Sequence, residues 1–211
     1  MPKQVDYESR RRRIAEAVCV LAEEQGPEGV SMRDVAARAQ VSLGAVQRCF
    51  RSKEEMLLFA VDHIGDRVTE RLRTRLAASP DQSAVTVLSH AADEIALLRE
   101  EHRAEARIWL AFVARAAVSE TLAGPLRSSY TALHTLLVRL VTEVAASGSA
   151  DEGVTRPDPQ HEARALLALA DGLTTHVLMG HLTSKEAEEV LQTHLVGLCE
   201  RLRTEHPREA R

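Results

Sequence analysis

Two groups of side chains in this 211-residue sequence are of types that do chemistry, and only one is spaced for it. The first group is the nine histidines and thirty-one carboxylates. No two histidines stand four apart, no Glu-x-x-His occurs, and His102-x-x-Glu105 stands by itself. A helix-borne zinc site or a carboxylate-bridged di-metal bundle therefore lacks its ligands. Phosphate loops of the G-x-G-x-x-G or P-loop kind are absent, and no nucleophile motif frames the Ser, His and Asp present. No catalytic residue, no metal and no cofactor is expected. The second group is Ser31, Arg33, Ser42, Leu43, Gly44, Gln47, Arg48 and Lys53. A glutamine can bond adenine with both arms of its amide, and an arginine can bond guanine or a phosphate. Ser31, Arg33, Ser42 and Lys53 stand where helices are expected to start, and backbone N–H groups there favour phosphate. A lysine opposes the helix dipole at such a place, which a phosphate partner would explain.

These residues need two short helices to hold them. Ser31-Met-Arg-Asp34 reads as a cap followed by an acidic residue, and opens a helix over 32–39. Gln40-Val41-Ser42 reads as a turn with an apolar plug at Val41, and Ser42 caps a helix over 43–49. Val35, Ala36 and Ala39 give the first helix a small face for close packing. Val46 and Phe50, with Cys49 beside them, anchor the second. Gly44, Gln47, Arg48 and Arg51 fall on its other side, and a helix so anchored fits the major groove. A glycine inside a helix costs up to about 1 kcal/mol against alanine, so Gly44 is there for close approach.

Around this pair the periodicity predicts an all-helical chain with no strand or internal repeat. Residues 8–25 form a helix with a stripe of Ile14, Ala17, Val18, Leu21 and Ala22, ended by Gly26-Pro27. A long helix over 53–76 follows the capping box Ser52 to Glu55. Further helices are predicted over 81–99, starting at Pro80, then 103–117, 121–146, 161–181 and 184–204, for about nine in all. The stretch 147–161 is rich in Gly, Ser, Pro and acids and reads as a surface loop. The domains are expected to be a helix-turn-helix head over 1–54, a bundle over 55–205 and a flexible tail over 206–211.

The overall charge of −4 conceals an asymmetry. Residues 1–55 hold ten Lys/Arg against nine Asp/Glu, and the remainder holds seventeen against twenty-two. A small basic surface on an acidic body is compatible with gripping a duplex and excludes a protein coated in nucleic acid. Cys19, Cys49 and Cys199 show no C-x-x-C spacing, which fits a reducing compartment. The polar start and the lack of any apolar run of about 18 residues argue for a cytoplasmic protein with no membrane partner.

The segment Val30 to Leu57 resembles the DNA-binding region of the TetR (tetracycline-repressor-like) family. The resemblance rests on Val35, Ala36, Ala39, Val41, Ser42, Gly44, Val46 and Phe50, and on Ser52 to Leu57. It covers about 50 residues with the first helix; the other 150 or so match in being helical and in length. It implies a homodimer on a near-palindromic double-stranded operator, usually a repressor, released by a small-molecule effector bound in the C-terminal bundle. Candidates for that bundle site are Trp109, Phe112, Tyr130, His134 and Thr174. The dimer interface is expected on the last two helices, at Leu166, Leu169, Leu173, Val177, Leu191, Leu195 and Leu198, unless these only close the chain's own core. Arg10 to Arg13 either line the DNA backbone or form a solvated run. A regulator without a small-molecule effector, and a helical enzyme or carrier, are the alternative readings.

Overall fold

The computed structural model describes residues 2–147 and 157–203, with side chains from Asp6 onward and except at Thr121. The 147–161 loop lies mostly, and the 206–211 tail wholly, outside the described residues. Nine α-helices and one short 3-10 turn are found among the described residues, and no strand. By backbone packing they fall into two compact units: the residues up to Arg67 with Glu101–Arg127, and Val68–Glu100 with the residues from Ser128 onward. This division cuts the chain elsewhere than the motif does.

In the first unit, α1 (Pro2–Gly29) buries its predicted stripe: Ile14, Val18 and Ala22 are closed to solvent. Gly26 breaks the helix with φ of 76°, a left-handed conformation that only glycine adopts cheaply, and Pro27 starts a final turn. α6 (Arg103–Ala116) packs along α1, with Ile108 and Phe112 buried. α2 (Met32–Arg38) starts at Ser31, whose Oγ accepts from Asp34 N at 3.2 Å. It ends in a Schellman motif: Gln40 takes a left-handed φ of 54°, Val41 N donates to Ala36 O at 2.9 Å, and Gln40 N donates to Ala37 O at 3.2 Å. α3 (Leu43–Cys49) follows immediately, capped by Ser42 Oγ accepting from Ala45 N. α4 (Lys53–Ala78) begins behind Ser52, whose Oγ accepts from Glu55 N. Its apolar face, Met56, Leu57, Ala60, Val61 and Ile64, ends where the sequence turns to charged residues.

In the second unit, α5 (Ala84–Ala96), α8 (Pro159–Leu178) and α9 (Ser184–Arg203) pack on one another. α7 (Glu120–Ala146) begins in the first unit and closes this second core with Leu137, Leu140, Val141 and Val144. Pro80 does not start α5. Ser83 caps it instead, and the Asp81 carboxylate accepts from Ser83 N at 2.8 Å. α5 ends earlier than its periodicity suggested, because Leu97 takes a left-handed φ of 49°. The hydroxyl of Thr174 bonds the carbonyl of Ala96 at that end, at 2.6 Å. Thr183 and Glu186 satisfy each other's backbone N–H groups at the start of α9, a full capping box.

Candidate nucleic-acid interface

α3 has the two-sided character a reading helix needs. Ala45, Val46 and Cys49 are buried, with Phe50 closing the end at 1% exposure. Gln47 and Arg48 are exposed on the other side, with Arg51 just beyond; Leu43 and Gly44 are half-buried. Arg33 is exposed on α2. Ser31 Oγ accepts from Asp34 N and its hydroxyl donates to the Asp34 carboxylate, and Ser42 Oγ accepts from Ala45 N, so both side chains serve as helix caps. Lys53 Nζ donates to the carbonyl of Glu28 at 2.8 Å, which ties the start of α4 to the end of α1.

α1 holds both ends of this pair. Arg13 donates to the carbonyl of Ala39 at 3.1 Å, at the close of α2. The Tyr7 hydroxyl donates to the carbonyl of Cys49 at 3.5 Å, at the close of α3. Arg10 pairs with Asp6 at 2.7 Å, and Arg38 pairs with Glu24. The arginine run is therefore divided: Arg10 and Arg13 have partners within the protein, and Arg11 lies over aromatic rings. Nothing in the spacing of residues 7, 11, 50 and 59 signals that they meet, since the contact is made only by folding.

Gly44 is not forced by its surroundings. A Cβ there would meet only Arg48 Nη1, at an ordinary 3.6 Å. Gly44→Ala is therefore expected to leave the thermal midpoint unchanged or higher, since alanine favours a helix by up to about 1 kcal/mol. Operator affinity should fall several-fold if the helix enters the groove as expected, because the added methyl would then stand between backbone and base edges. A melting curve beside a DNA titration checks it; unchanged affinity would remove close approach as the reason for this glycine.

The remaining candidates are placed differently from one another. Leu166, Leu173, Leu191, Leu195 and Leu198 fill their own unit's core, so these side chains cannot also present a surface to a second copy. Leu169 and Val177 are partly buried against the same core. The periodicity located the apolar stripe correctly, but the stripe faces inward. The outward side of α8 carries Ala168 and Gly172, with Met179 exposed at its C-cap, and α9 exposes Val190 and Val196. Of the ligand candidates, Trp109 and Phe112 belong to the first unit, and Tyr130, His134 and Thr174 to the second. Phe112 is buried. Tyr130 donates a short hydrogen bond to the Asp171 carboxylate, and His134 Nε2 meets the carbonyl of Gln160 at 3.2 Å. Thr174 is buried with its hydroxyl engaged by Ala96 and Ala170. Each polar candidate is thus already used by the fold.

All three cysteines are free and buried. Burial pushes the Cys19 thiol up to about 12, with the Glu105 carboxylate adding to the effect. Burial also raises Cys49, against the pull of Arg10, Arg11 and Arg48, and raises Cys199. No cluster of three or more metal-ligating side chains occurs among the described residues. No described helix is long and apolar enough to cross a membrane.

Comparison with known proteins settles the family. Residues 14–60 match the bacterial regulatory proteins of the tetR family, and residues 84–200 match the C-terminal region of BetI-type transcriptional repressors. The chain belongs to the TetR family. As a TetR-family protein it is a helix-turn-helix transcriptional regulator that binds DNA, and it is not an enzyme. It is 29% identical over 204 residues to the HTH-type transcriptional regulator PksA of Bacillus subtilis, covering 94% of each chain. A transcriptional regulator from Rhodococcus sp. Rha1 is 30% identical, with a TM-score of 0.72 over 90% of this chain and 96% of that one. A transcriptional regulator from Saccharomonospora viridis, crystallised in complex with choline, shares the fold at 21% identity and a TM-score of 0.74, over 90% and 96% of the two chains. The TetR-type head spans α1 to the first turns of α4, which includes every residue of the reading-helix pair.

Proposed function

We propose that this TetR-family regulator is a homodimeric cytoplasmic repressor that occupies a near-palindromic operator and leaves it when a small molecule binds its C-terminal region. The observation that carries the reading is the divided surface of α3, anchored on one side and bare at Gln47 and Arg48 on the other. Gln47 reads a base and Arg48 a base or a phosphate; Ser31, Arg33, Ser42, Leu43, Gly44 and Lys53 frame the same surface. The head comprises residues 1–54, and residues 55–205 supply the dimer and the ligand site. One head contacts few base pairs, so two are needed, reading half-sites about 34 Å apart.

The outward side of α8, at Ala168 and Gly172, with Met179 at its C-cap and Val190 of α9, is the surface we assign to the second copy. A homologous interface of two helices from each chain makes a four-helix contact. Release by a small molecule is supported by the BetI-type C-terminal match and by a same-fold protein obtained with choline. Trp109, Phe112, Tyr130, His134 and Thr174 remain the residues to vary first. A ligand shifts operator affinity only by its differential affinity for the two states.

Selection of genomic fragments on the pure protein tests the reading. The expected product is a pair of inverted half-sites, and Gln47→Ala should relax preference at one position in each half. Recovery of fragments with no shared pattern would overturn the operator reading.

A further inference from the structure

We propose that Arg11 is a positioning residue for operator binding, one that seats the C-terminal end of the reading helix without touching DNA. Its guanidinium lies 4.0 Å from the ring centroid of Phe59, 5.1 Å from that of Phe50 and 5.9 Å from that of Tyr7. Phe50 and Phe59 themselves pack at 5.4 Å with their planes 49° apart. Nε of Arg11 is buried and has no hydrogen-bond partner. A buried N–H without an acceptor is unfavourable, so the rings must compensate. They do so by the attraction of a weakly hydrated planar cation to ring faces.

Three elements converge on this one cation. Tyr7 and Arg11 come from α1, Phe50 is the C-cap of α3, and Phe59 lies on α4. α3 has only seven residues, and its first turn is already fixed by the Schellman turn and the Ser42 cap. Its last helical bond runs from Phe50 N to Val46 O at 2.9 Å, and the chain then leaves through Phe50 in an extended conformation, φ −142° and ψ 127°. The seat of the Phe50 ring therefore sets the direction in which Gln47 and Arg48 point, and base contacts tolerate little misplacement. Other charges near the cluster are Arg10, Arg48, Glu8 and Asp62. Burial raises the Asp62 carboxyl, Asp66 adds to this, and Arg11 pulls the other way.

The inference rests on the operator reading of α3, and its test separates the two. The full-length wild type, Arg11→Met and Arg11→Lys are titrated with the selected operator and with a scrambled duplex, across a range of salt concentrations. Methionine fills the space between the rings without the charge. Arg11→Met is expected to lose about tenfold in operator affinity. Its affinity for the scrambled duplex, and its slope of log affinity against log salt, should stay at wild-type values. Arg11→Lys should recover part of the loss. A slope shallower by about 0.9 per head would mean a direct phosphate contact. An equal fractional loss on both duplexes would mean only less folded protein. Either result overturns the proposal. A wild type that retains neither duplex at low salt sinks the operator reading and the role of Arg11 with it.

Discussion

Replacing Gly172 with glutamate is expected to leave each chain folded and to separate the proposed dimer. Gly172 is exposed on α8, and a Cβ there would meet nothing within 4 Å. The substitution also exchanges the poorest ordinary helix former for a good one, a gain of about 0.5–1 kcal/mol within the chain. In a two-fold interface each copy presents the same patch, so one substitution puts a carboxylate on both faces of the proposed contact. Two carboxylates would then be desolvated in an apolar contact without partners, which costs several kcal/mol. With one head per particle, operator affinity should fall by roughly 100-fold or more. Sedimentation and a DNA titration check both halves. A variant that stays dimeric at full affinity would place the interface elsewhere.

The second large effect is expected in the core of the second unit, from Glu94→Ala. Glu94 is 1% exposed on α5, and its carboxylate receives Arg71 Nε at 2.7 Å and Arg75 Nη1 at 3.0 Å, both from α4. Arg75 also reaches Asp93 at 3.3 Å, and Gln192 of α9 donates to Asp93 at 2.7 Å. The network ties three helices through charge where α4 has little apolar surface left. Removing the carboxylate takes from Arg71 its 2.7 Å contact, while Arg75 keeps Asp93. Breaking a buried pair costs about 3–5 kcal/mol. The arginines are about a quarter exposed and can turn towards water, so about 2–4 kcal/mol is expected. Urea unfolding of the variant beside Glu105→Ala is the measurement. Glu105 is as buried, and its ion pair with Arg67 is more open to solvent, Arg67 being 45% exposed, so that pair should contribute less. Equal midpoints for wild type and Glu94→Ala would show that this network contributes nothing.

The elements were legible wherever local chemistry decides them. Ser31, Ser42, Ser52 and Thr183 each start a helix as their side chains require. Gly26 breaks α1 because no other residue takes its φ cheaply. The reading-helix pair was legible for the same reason, as its caps, turn and small face lie within twenty residues. What escaped was decided at long range. Leu97 ends α5 in a left-handed conformation that leucine does not advertise, next to Ala96, whose carbonyl is bonded by Thr174 from seventy-eight residues away. Pro80 offered a start for α5, but Asp81 and Ser83 build a better cap three residues on. The leucines of α8 and α9 carry a period that announces a buried stripe but not what buries it. The same limit hid the use of Arg11 by Phe50 and Phe59, since periodicity along one helix contains no information about rings on two others.

The protonated state of the three thiols restricts the kinds of message this regulator can receive. Peroxide and electrophile sensors need an accessible thiolate, and at neutral pH none of these sulfurs supplies one. A covalent message through these three sulfurs is therefore disfavoured. The same inertness has a practical side. A single cysteine engineered onto the exposed surface would take a maleimide probe while the native three stay unlabelled, so the distance between the heads of the proposed dimer becomes measurable without first stripping the chain of its own sulfur.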